Sequence, residues 1–285
     1  MRATELSSAP NLAALYLKAV ATTPSRRGGG ELPDTEYVRR DITVDREHLA
    51  EYNRMCGFGL RDELPMTYPH ILSFGTAVRL MTDPGFPFPL VGLVHVANTI
   101  TQHRPLLVTE SPTQRVYLSD LRPHPKGSQF DVVTETSAGS ETVWTESSTY
   151  LRRGKPDESA AKSERTAAIE AGAPTATWQL PGDLGRRYAA VSGDRNPIHL
   201  HPLTAKAFGF PRAIAHGMWS KARCLAAFEG RLPEACTVEV EFAKPVLLPS
   251  TVEFTERATG QGDGRGRDFA LHSRSGKLHL RGSVR

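Results

Sequence analysis

The sequence has only three cysteines among its 285 residues, Cys56, Cys224 and Cys236, and they lie far apart with no CxxC pair. A disulfide framework needs an even set of cysteines, and a zinc ribbon needs CxxC pairs. Neither class fits this sequence. A chain without disulfides suits a reducing compartment, so the sequence predicts a cytoplasmic protein.

Long apolar runs and long basic runs are also missing. No segment reaches ~18 consecutive apolar residues, the length that spans a membrane as a helix. The first twenty residues make a poor signal peptide, because Glu5, Asn11 and Lys18 interrupt them. The sequence pI is about 9.0, yet no run of Lys and Arg exceeds two residues. We therefore expect no membrane span and no nucleic-acid partner.

What remains is an ordinary globular composition. Hydrophobic residues make up 39% and charged residues 23% of the chain, and 35 basic against 31 acidic residues leave a net charge of +4. These values exclude a disordered protein, a collagen and a coiled coil. The length predicts about two domains of ordinary size.

Two breaks divide the chain. A short amphipathic helix at 10–21 precedes a Gly- and Arg-rich break at 25–30. A second break, at 154–175, is rich in Lys, Glu, Ser and Ala and has almost no large apolar residue. The predicted segments are 1–35 as an N-terminal helix and flexible connector, 36–153 as the first domain, 154–176 as a linker, and 177–285 as the second domain.

The two predicted domains resemble each other. Arg104-Pro105 and Lys244-Pro245 each follow an alternating strand and lie 140 positions apart, and the residues around Tyr52 match those around Tyr188 at an offset of 136. Each half then carries one longer apolar helix, and alternating strands follow it. The helices are predicted at 69–82 and 216–229, with Gly230 as the cap of the second, and the strands of the second half at 236–242, 251–258, 268–273 and 277–284.

This pattern predicts an α+β fold. An antiparallel sheet with one apolar face must bury that face, and the long helix is the one element large enough to cover it. The expected architecture is a curled antiparallel sheet wrapped around a central helix, formed twice in one chain.

Two polar clusters in the second half are candidates for chemistry. The first, Ser192-Gly-Asp-Arg-Asn-Pro-Ile-His199, follows a short helix and is punctuated by Gly and Pro, so its carboxylate and imidazole sit on a turn and can face one cleft. Alternatively, the Asp and Asn side chains serve only to bond nearby backbone amides. The second cluster, Arg212–Met218, opens the central helix. Gly217 there lets a ligand approach unpaired helical N–H groups, or lets the helix pack closely on the sheet.

Together the clusters read Y-x-x-x-S-G-D-x-N-P-x-H and, further on, A-H-G-M. Here the chain resembles the MaoC-like (R)-specific enoyl-thioester hydratases and 3-hydroxyacyl-thioester dehydratases, whose fold is the hot dog. The matching residues are Tyr188, Ser192, Gly193, Asp194, Asn196, Pro197, His199, Ala207, Phe210, Ile214, His216, Gly217 and Met218. The resemblance implies two fused hot-dog domains, of which the C-terminal one is catalytic.

The resemblance also implies a role for each residue. In the hydration direction, Asp194 would take a proton from water, and His199 would position the same water and deliver a proton to the α-carbon. Asn196 would orient this pair, and the Gly217 N–H would hold the thioester oxygen. The thioester itself acidifies the α-proton, so no metal or organic cofactor is expected. Four further residues would bind the substrate: Ser192, His216, Met218 and Arg212.

The first half has lost this chemistry. At the offset of 136, Phe58, Leu60 and Glu63 replace Asp194, Asn196 and His199. Phe and Leu cannot transfer protons, so we expect one active site per chain. The first domain would supply substrate-binding surface, with a candidate apolar lining for an acyl chain: Met66, Ile71, Leu72 and Phe74.

Other readings of these residues remain. Asp194, His199, His201 and His216 also offer one carboxylate and three imidazoles to Zn²⁺ or Fe²⁺, although the acid–base turn explains the intervening Asn-Pro better. Residues 260–266 are Gly-rich but lack the Lys-Ser/Thr and the following helix of a phosphate loop, which favours a hairpin loop. A serine hydrolase is not favoured, because the chain has no G-x-S-x-G.

The leading hypothesis is therefore a hydro-lyase that acts on an acyl-CoA or acyl-carrier-protein thioester. The alternatives are a hot-dog thioesterase, in which Asp194 activates water against the thioester carbonyl, and a non-catalytic acyl-thioester binding subunit. The carrier phosphates would be attracted to basic residues of the second half. These are Arg186, Arg187, Arg195, Arg212, Lys221 and Arg223. Both a monomer and a homodimer are compatible with two hot-dog units in one chain.

Overall fold

A computed structural model describes residues 2–22, 30–155, 173–260 and 266–285. These residues form two compact units. The first contains residues 2–44, 62–98 and 103–155, and the second contains 45–61, 99–102, 173–260 and 266–285. Most of the predicted connector and linker, and the centre of the predicted Gly-rich loop, lie outside the described residues. No helix within these ranges is long and apolar enough to cross a membrane.

Each half of the chain contains a strand, then helices, then four strands. The elements are β1 (Arg2–Glu5), α1 (Leu12–Thr22), β2 (Thr35–Arg39), α2 (Arg46–Cys56), α3 (Tyr68–Met81), β3 (Leu93–Gln102), β4 (Thr113–His124), β5 (Gly127–Ala138), β6 (Glu141–Arg153), β7 (Ala176–Leu180), α4 (Leu184–Ser192), α5 (Pro197–Leu200), α6 (Pro202–Ala207), α7 (Gly217–Ala226), β8 (Cys236–Phe242), β9 (Ser250–Ala258), β10 (Arg267–Ser273) and β11 (Leu278–Val284).

The first unit wraps its strands around helix α3. The strand order is β1-β2-β4-β5-β6-β3, with β1 parallel to β2 and the pairs β2–β4, β4–β5 and β5–β6 antiparallel. Phe74, Val78 and Met81 repeat at helical spacing on one face of α3. They share a buried cluster with Val116 of β4 and Phe130 of β5, so this face of the helix fills the concave side of the sheet.

The second unit repeats the plan around α7. Its strand order is β8-β11-β10-β9-β7, and each neighbouring pair is antiparallel. Just past the helix, the Phe228 ring packs edge-on against Phe254 and Phe269, with centroids 5.5 Å away in both cases. Each such ring contributes about 1.5–3 kcal/mol when fully buried. The predicted fold, a curled antiparallel sheet around a central helix formed twice, is confirmed.

The strands predicted in the second half are confirmed within one residue, and the first central helix matches α3. Helix α7, however, ends at Ala226 rather than at 229. The N–H groups of Phe228 and Glu229 donate to carbonyls three residues back, not four, so the backbone tightens into turns. The capping residue is Ala227, and the prediction of Gly230 as the cap was wrong. Gly230, at φ +74°, lies at the end of these turns instead.

Helix α2 belongs to the second unit, although its sequence lies in the first half of the chain. The Asp45 carboxylate caps it by accepting from the N–H groups of Glu47 and His48. The helix ends at Gly57, whose φ of +88° is left-handed. The compact units thus differ from the predicted segments 36–153 and 177–285 in where they place this helix.

The space between α3 and its sheet is polar rather than apolar at one end. Met66 and Phe74 of the expected acyl lining are buried, but a His–Glu pair lies in the same unit. The His70 Nδ1–H faces both carboxylate oxygens of Glu146, at 2.8 and 3.0 Å. Asn98 donates to the same carboxylate at 2.6 Å, and Ser148 donates at 3.3 Å. Counting main chain and side chain together, every residue of this network is at most 8% exposed.

The structure corrects the predicted counterpart of His199. Glu63 forms an isolated antiparallel bridge with Leu107, and Ile214 forms the matching bridge with Leu247. Glu63 therefore corresponds to Ile214, not to His199. Only six positions separate Gly57 from Glu63, whereas twenty-one separate Gly193 from Ile214. The segment with α5 and α6 has no counterpart in the first half, so the fixed offset of 136 fails there.

Candidate active site

The end of helix α4 and the turn after it position Asp194. Gly193 ends the helix in the left-handed conformation, at φ +74°, and its N–H donates to Ala189 O. The Asp194 N–H donates to Ser192 Oγ at 3.2 Å, and Asp194 Oδ1 accepts from the Asn196 N–H at 3.1 Å. The two carboxylate oxygens therefore have different surroundings. Oδ1 holds the turn together, whereas Oδ2 faces two histidines.

Asn196 begins the next helix. Its side-chain oxygen accepts from the Ile198 N–H at 3.4 Å, and Pro197 occupies the first helical position. This short helix, α5, carries His199 toward the carboxylate. The Asp and Asn side chains thus do bond nearby amides, as the simpler sequence interpretation proposed. These backbone bonds do not prevent Asp194 from facing His199, so both sequence interpretations of the turn apply.

A backbone carbonyl sets the tautomer of His199. Its Nδ1 lies 2.8 Å from Ile214 O, and a carbonyl can only accept, so Nδ1 carries the proton. Burial lowers the pKa of His199, although Asp194 and the bond to Ile214 act in the opposite direction. The imidazole is therefore neutral near pH 7. Its Nε2 presents a lone pair and lies 4.0 Å from Asp194 Oδ2.

His216 holds both of these residues. Its Nε2–H donates to the main-chain oxygen of Asp194 at 2.9 Å. Its ring stacks on His199, with centroids 3.6 Å apart and planes inclined by 24°, and Tyr188 packs on it at 4.9 Å. Burial and the neighbouring His199 lower the pKa of His216 to about 3. A neutral His216 is thus a rigid support within reach of Asp194 and His199.

The other predicted site residues lie around the Asp194–His199 pair or at the surface. Ser192 is buried and accepts from the Asp194 N–H. Met218 is buried in helix α7. Arg212 is exposed and donates to Pro249 O at 3.3 Å.

The structure also bears on the metal alternative. Ligand atoms of Asp194, His199 and His216 lie within 4.8 Å of one another. The fourth candidate, His201, is exposed, and its Nδ1 accepts from the Leu203 N–H at the start of α6. The proton on His216 Nε2 is engaged with Asp194 O, so that nitrogen has no lone pair for a cation. The donor set fits acid–base chemistry better than metal binding.

Gly217 is the first residue of α7, so its N–H has no partner within the helix. The close-packing interpretation also finds support. A Cβ on Gly217 would lie 3.0–3.2 Å from three ring atoms of Phe242 on β8. A side chain at this position therefore pushes against a ring before it meets any ligand, and a substitution of Gly217 alone mixes the two effects.

A paired substitution separates them. We expect Gly217→Ala to lower both the melting temperature and the hydration rate, because its methyl group displaces Phe242. Adding Phe242→Leu makes room for the methyl group, and the melting temperature should then recover. If the backbone also contacts the thioester oxygen, the rate stays depressed, by up to about 10²–10³-fold. Thermal melting and steady-state kinetics of both variants, with Phe242→Leu alone as the control, check this. A double variant with wild-type rate would contradict the oxyanion role.

Sequence reasoning missed the residues that act through the backbone. The Ile214 carbonyl sets the His199 tautomer, and the carbonyl of His199 lies so close to Gly185 that a Cβ there would collide with it. No side-chain type marks such a carbonyl in a sequence. The one available signal was Gly185, the second residue of α4, because a glycine there allows another backbone to approach closely.

A central helix wrapped by a curled antiparallel sheet, formed twice, is the architecture of the double hot-dog proteins. The comparisons agree with this class. A family model described as "MaoC like domain" matches residues 162–273. The 3-hydroxyacyl-thioester dehydratase X of Mycobacterium tuberculosis is 37% identical over 262 residues, which cover 90% of each chain. The chain belongs to the MaoC-like dehydratase family.

Solved structures and a more distant relative extend the comparison. The crystal structure of HtdX from Mycobacterium tuberculosis superimposes with a TM-score of 0.77 at 37% identity, and the match covers 88% of this chain and 99% of that one. The peroxisomal enoyl-CoA hydratase 2 of Arabidopsis thaliana is 25% identical over 217 residues, which cover 66% of this chain and 70% of the relative.

Proposed function

We propose that this protein catalyses the reversible hydration of a trans-2-enoyl thioester to an (R)-3-hydroxyacyl thioester. One observation carries the proposal. Asp194 Oδ2 and the unprotonated His199 Nε2 lie 4.0 Å apart, too far for a bond to each other. A single water about 2.8 Å from each would donate one hydrogen bond to each acceptor. The relatives described above are a 3-hydroxyacyl-thioester dehydratase and an enoyl-CoA hydratase, and both names describe this chemistry.

The proton that reaches the α-carbon comes from that water. The expectation from the sequence was that Asp194 takes a proton while His199 delivers one, but His199 Nε2 has none to give at the outset. Instead, the water oxygen attacks the β-carbon and passes one proton to the Asp194–His199 pair. The pair returns this proton to the α-carbon on the same face. The hydroxyl and the hydrogen added to the double bond together equal one water, and dehydration is the reverse.

The Gly217 N–H would donate a hydrogen bond to the thioester oxygen and stabilise the negative charge that develops there as the β-carbon is attacked. His216 would hold Asp194 and His199 at their separation rather than contact the substrate, since it is 3% exposed and engaged with both. Asn196 would keep the turn in place through its bond to the Ile198 N–H.

The carrier, the compartment and the assembly belong to the proposal as well. An acyl-CoA or acyl-carrier-protein thioester would place its phosphates on basic residues that remain exposed. Lys221 is fully buried and donates to Val238 O, and Arg223 packs over the Trp178 ring. Both are poor candidates for this role. The exposed candidates are Arg186, Arg187, Arg195 and Arg212. We further propose a cytoplasmic location and an assembly that is a monomer or a homodimer.

The test uses crotonyl-CoA and two readouts. Hydration removes the absorbance of the conjugated enoyl thioester without releasing thiol, and we expect this result. A thioesterase would release thiol, which a disulfide reagent detects. A binding subunit would do neither, although it would still bind the ligand in calorimetry. Either of the last two outcomes would contradict the proposal, and repeating the assay with crotonyl-acyl-carrier-protein compares the two carriers.

A further inference from the structure

Helix α2 contacts the last turn of α4, the helix that leads into the turn carrying Asp194. Both elements lie in the second compact unit. His48 Nε2 lies 2.8 Å from Val191 O, and since a carbonyl can only accept, the imidazole N–H donates. Asp45 caps the start of α2 through the N–H groups of Glu47 and His48, so the backbone that carries this imidazole is held in place. The His48 ring itself is half-buried.

Val191 occupies a position at which a helix needs an outside donor. It lies in the last turn of α4, where carbonyl groups have no intrahelical partner. The residue after it, Ser192, accepts the Asp194 N–H. His48 therefore satisfies the helix end three residues before Asp194, at the point where the chain leaves the helix.

The other end of α4 touches the second member of the pair. Gly185 lies against the His199 backbone so closely that a Cβ would overlap the carbonyl oxygen. Asp194 follows the C-terminal end of α4, and His199 packs on its N-terminal end. A displacement of the C-terminal end of α4 relative to its N-terminal end would therefore change the distance between Asp194 Oδ2 and His199 Nε2.

Helix α2 supports α4 and α7 together. The rings of Tyr52 and Tyr188 pack with centroids 6.4 Å apart, which joins α2 to α4. The Trp219 Nε1–H donates to Met55 O at 3.1 Å, which joins α7 to α2. Helix α2 thus contacts the helix that precedes Asp194 and the helix that begins with Gly217. Its residues lie outside the 162–273 segment that the family model matches.

We propose that His48 is a positioning residue for the Asp194–His199 pair, acting through Val191 O. The proposal rests on the hydratase function proposed above. Displacement of a reacting group by about 1 Å lowers a rate by up to about 10²-fold. Loss of the His48 donor should therefore reduce kcat more than it changes KM, because no substrate contact is removed.

The experiment compares two variants without a donor, His48→Phe and His48→Ala, with His48→Gln, whose amide N–H can still reach Val191 O. Glu51→Ala is the matched control, since Glu51 is exposed on the same helix. For each protein, kcat and KM with crotonyl-CoA are measured beside thermal melting. Hydrogen exchange of the Asp194 and Asn196 amides reports on the turn itself.

We expect the Phe and Ala variants to lose about tenfold or more in kcat, with KM within about twofold, and the Gln variant to recover most of the rate. Amide exchange at Asp194 and Asn196 should quicken in the first two variants and not in the Gln or Glu51→Ala protein. If one donor-free variant does not fold, the other provides the comparison.

Two results would overturn the proposal. One is a folded donor-free variant with wild-type kcat and wild-type exchange at the turn. The other is an equal loss of kcat in the Gln variant, which would assign the effect to the imidazole ring rather than to its hydrogen bond. A wild-type protein that does not hydrate crotonyl-CoA would refute the hydratase function instead. The exchange measurements would still decide whether His48 holds the turn.

Discussion

Asp194→Asn and His199→Asn should each lower the hydration rate by about 10²–10⁴-fold, while the protein stays folded. Asn at 194 keeps an oxygen for the Asn196 N–H but loses the carboxylate charge. Asn at 199 keeps a donor for Ile214 O and removes Nε2. These replacements retain the turn, which His199→Ala would not, because His199 is buried and stacked on His216. Steady-state kinetics and thermal melting provide the measurements.

Asp183→Asn and His201→Asn are matched controls for these two changes. Asp183 makes no side-chain cap to α4, and His201 lies two residues beyond His199 on an exposed turn. Both controls should keep wild-type rates. The double variant at 194 and 199 should be scarcely slower than either single variant, because the two groups act on one water. A folded single variant that keeps more than about a tenth of the activity would refute the assignment.

Glu146→Ala should destabilise the first unit by about 3–5 kcal/mol, because it leaves a buried His70 imidazole and an Asn98 amide without their shared acceptor. The side chain of Glu146 is 2% exposed and that of His70 is 10% exposed, so water cannot easily replace the carboxylate. Urea denaturation of the variant and the wild type measures the change in the free energy of unfolding.

Glu141→Ala is the control for Glu146→Ala on the same strand. Glu141 pairs with Arg104 at 2.9 Å, but its side chain is 58% exposed, and an exposed ion pair contributes only about 0–1 kcal/mol. We expect a small effect there. If both variants lose less than about 1 kcal/mol, the network around Glu146 must be open to water, and the buried pair does not hold this end of α3.

Short-range patterns in the sequence predicted much of this protein. In strand β8 the buried residues Cys236, Val238 and Val240 alternate with more exposed ones, and that period depends only on neighbouring residues. Asp194, Asn196 and His199 lie within six positions, with Gly193 and Pro197 to turn the chain, so their proximity needs no long-range contact. The place of Gly217 at the start of an apolar helix was likewise predictable from neighbouring residues.

A fixed offset between the halves gave the wrong counterpart for Glu63. Pattern matching placed it opposite His199, whereas the bridges with Leu107 and Leu247 align it with Ile214. An alignment without gaps cannot reveal that α5 and α6 occur in one half alone. The backbone pairing decides the register, because a strand bridge matches residues by position in space and not by their count along the chain.

The sequence by itself thus determined the two hot-dog repeats, and it placed the proposed acid–base pair in the second of them. Only the tertiary structure decided the neutral tautomer of His199, the support from His216, the place of helix α2 and the buried pair of His70 with Glu146. Those features depend on atoms that meet across 15 to 143 positions of the chain. Burial and neighbouring groups set the protonation state of a side chain. A linear sequence pattern does not show which groups will surround it.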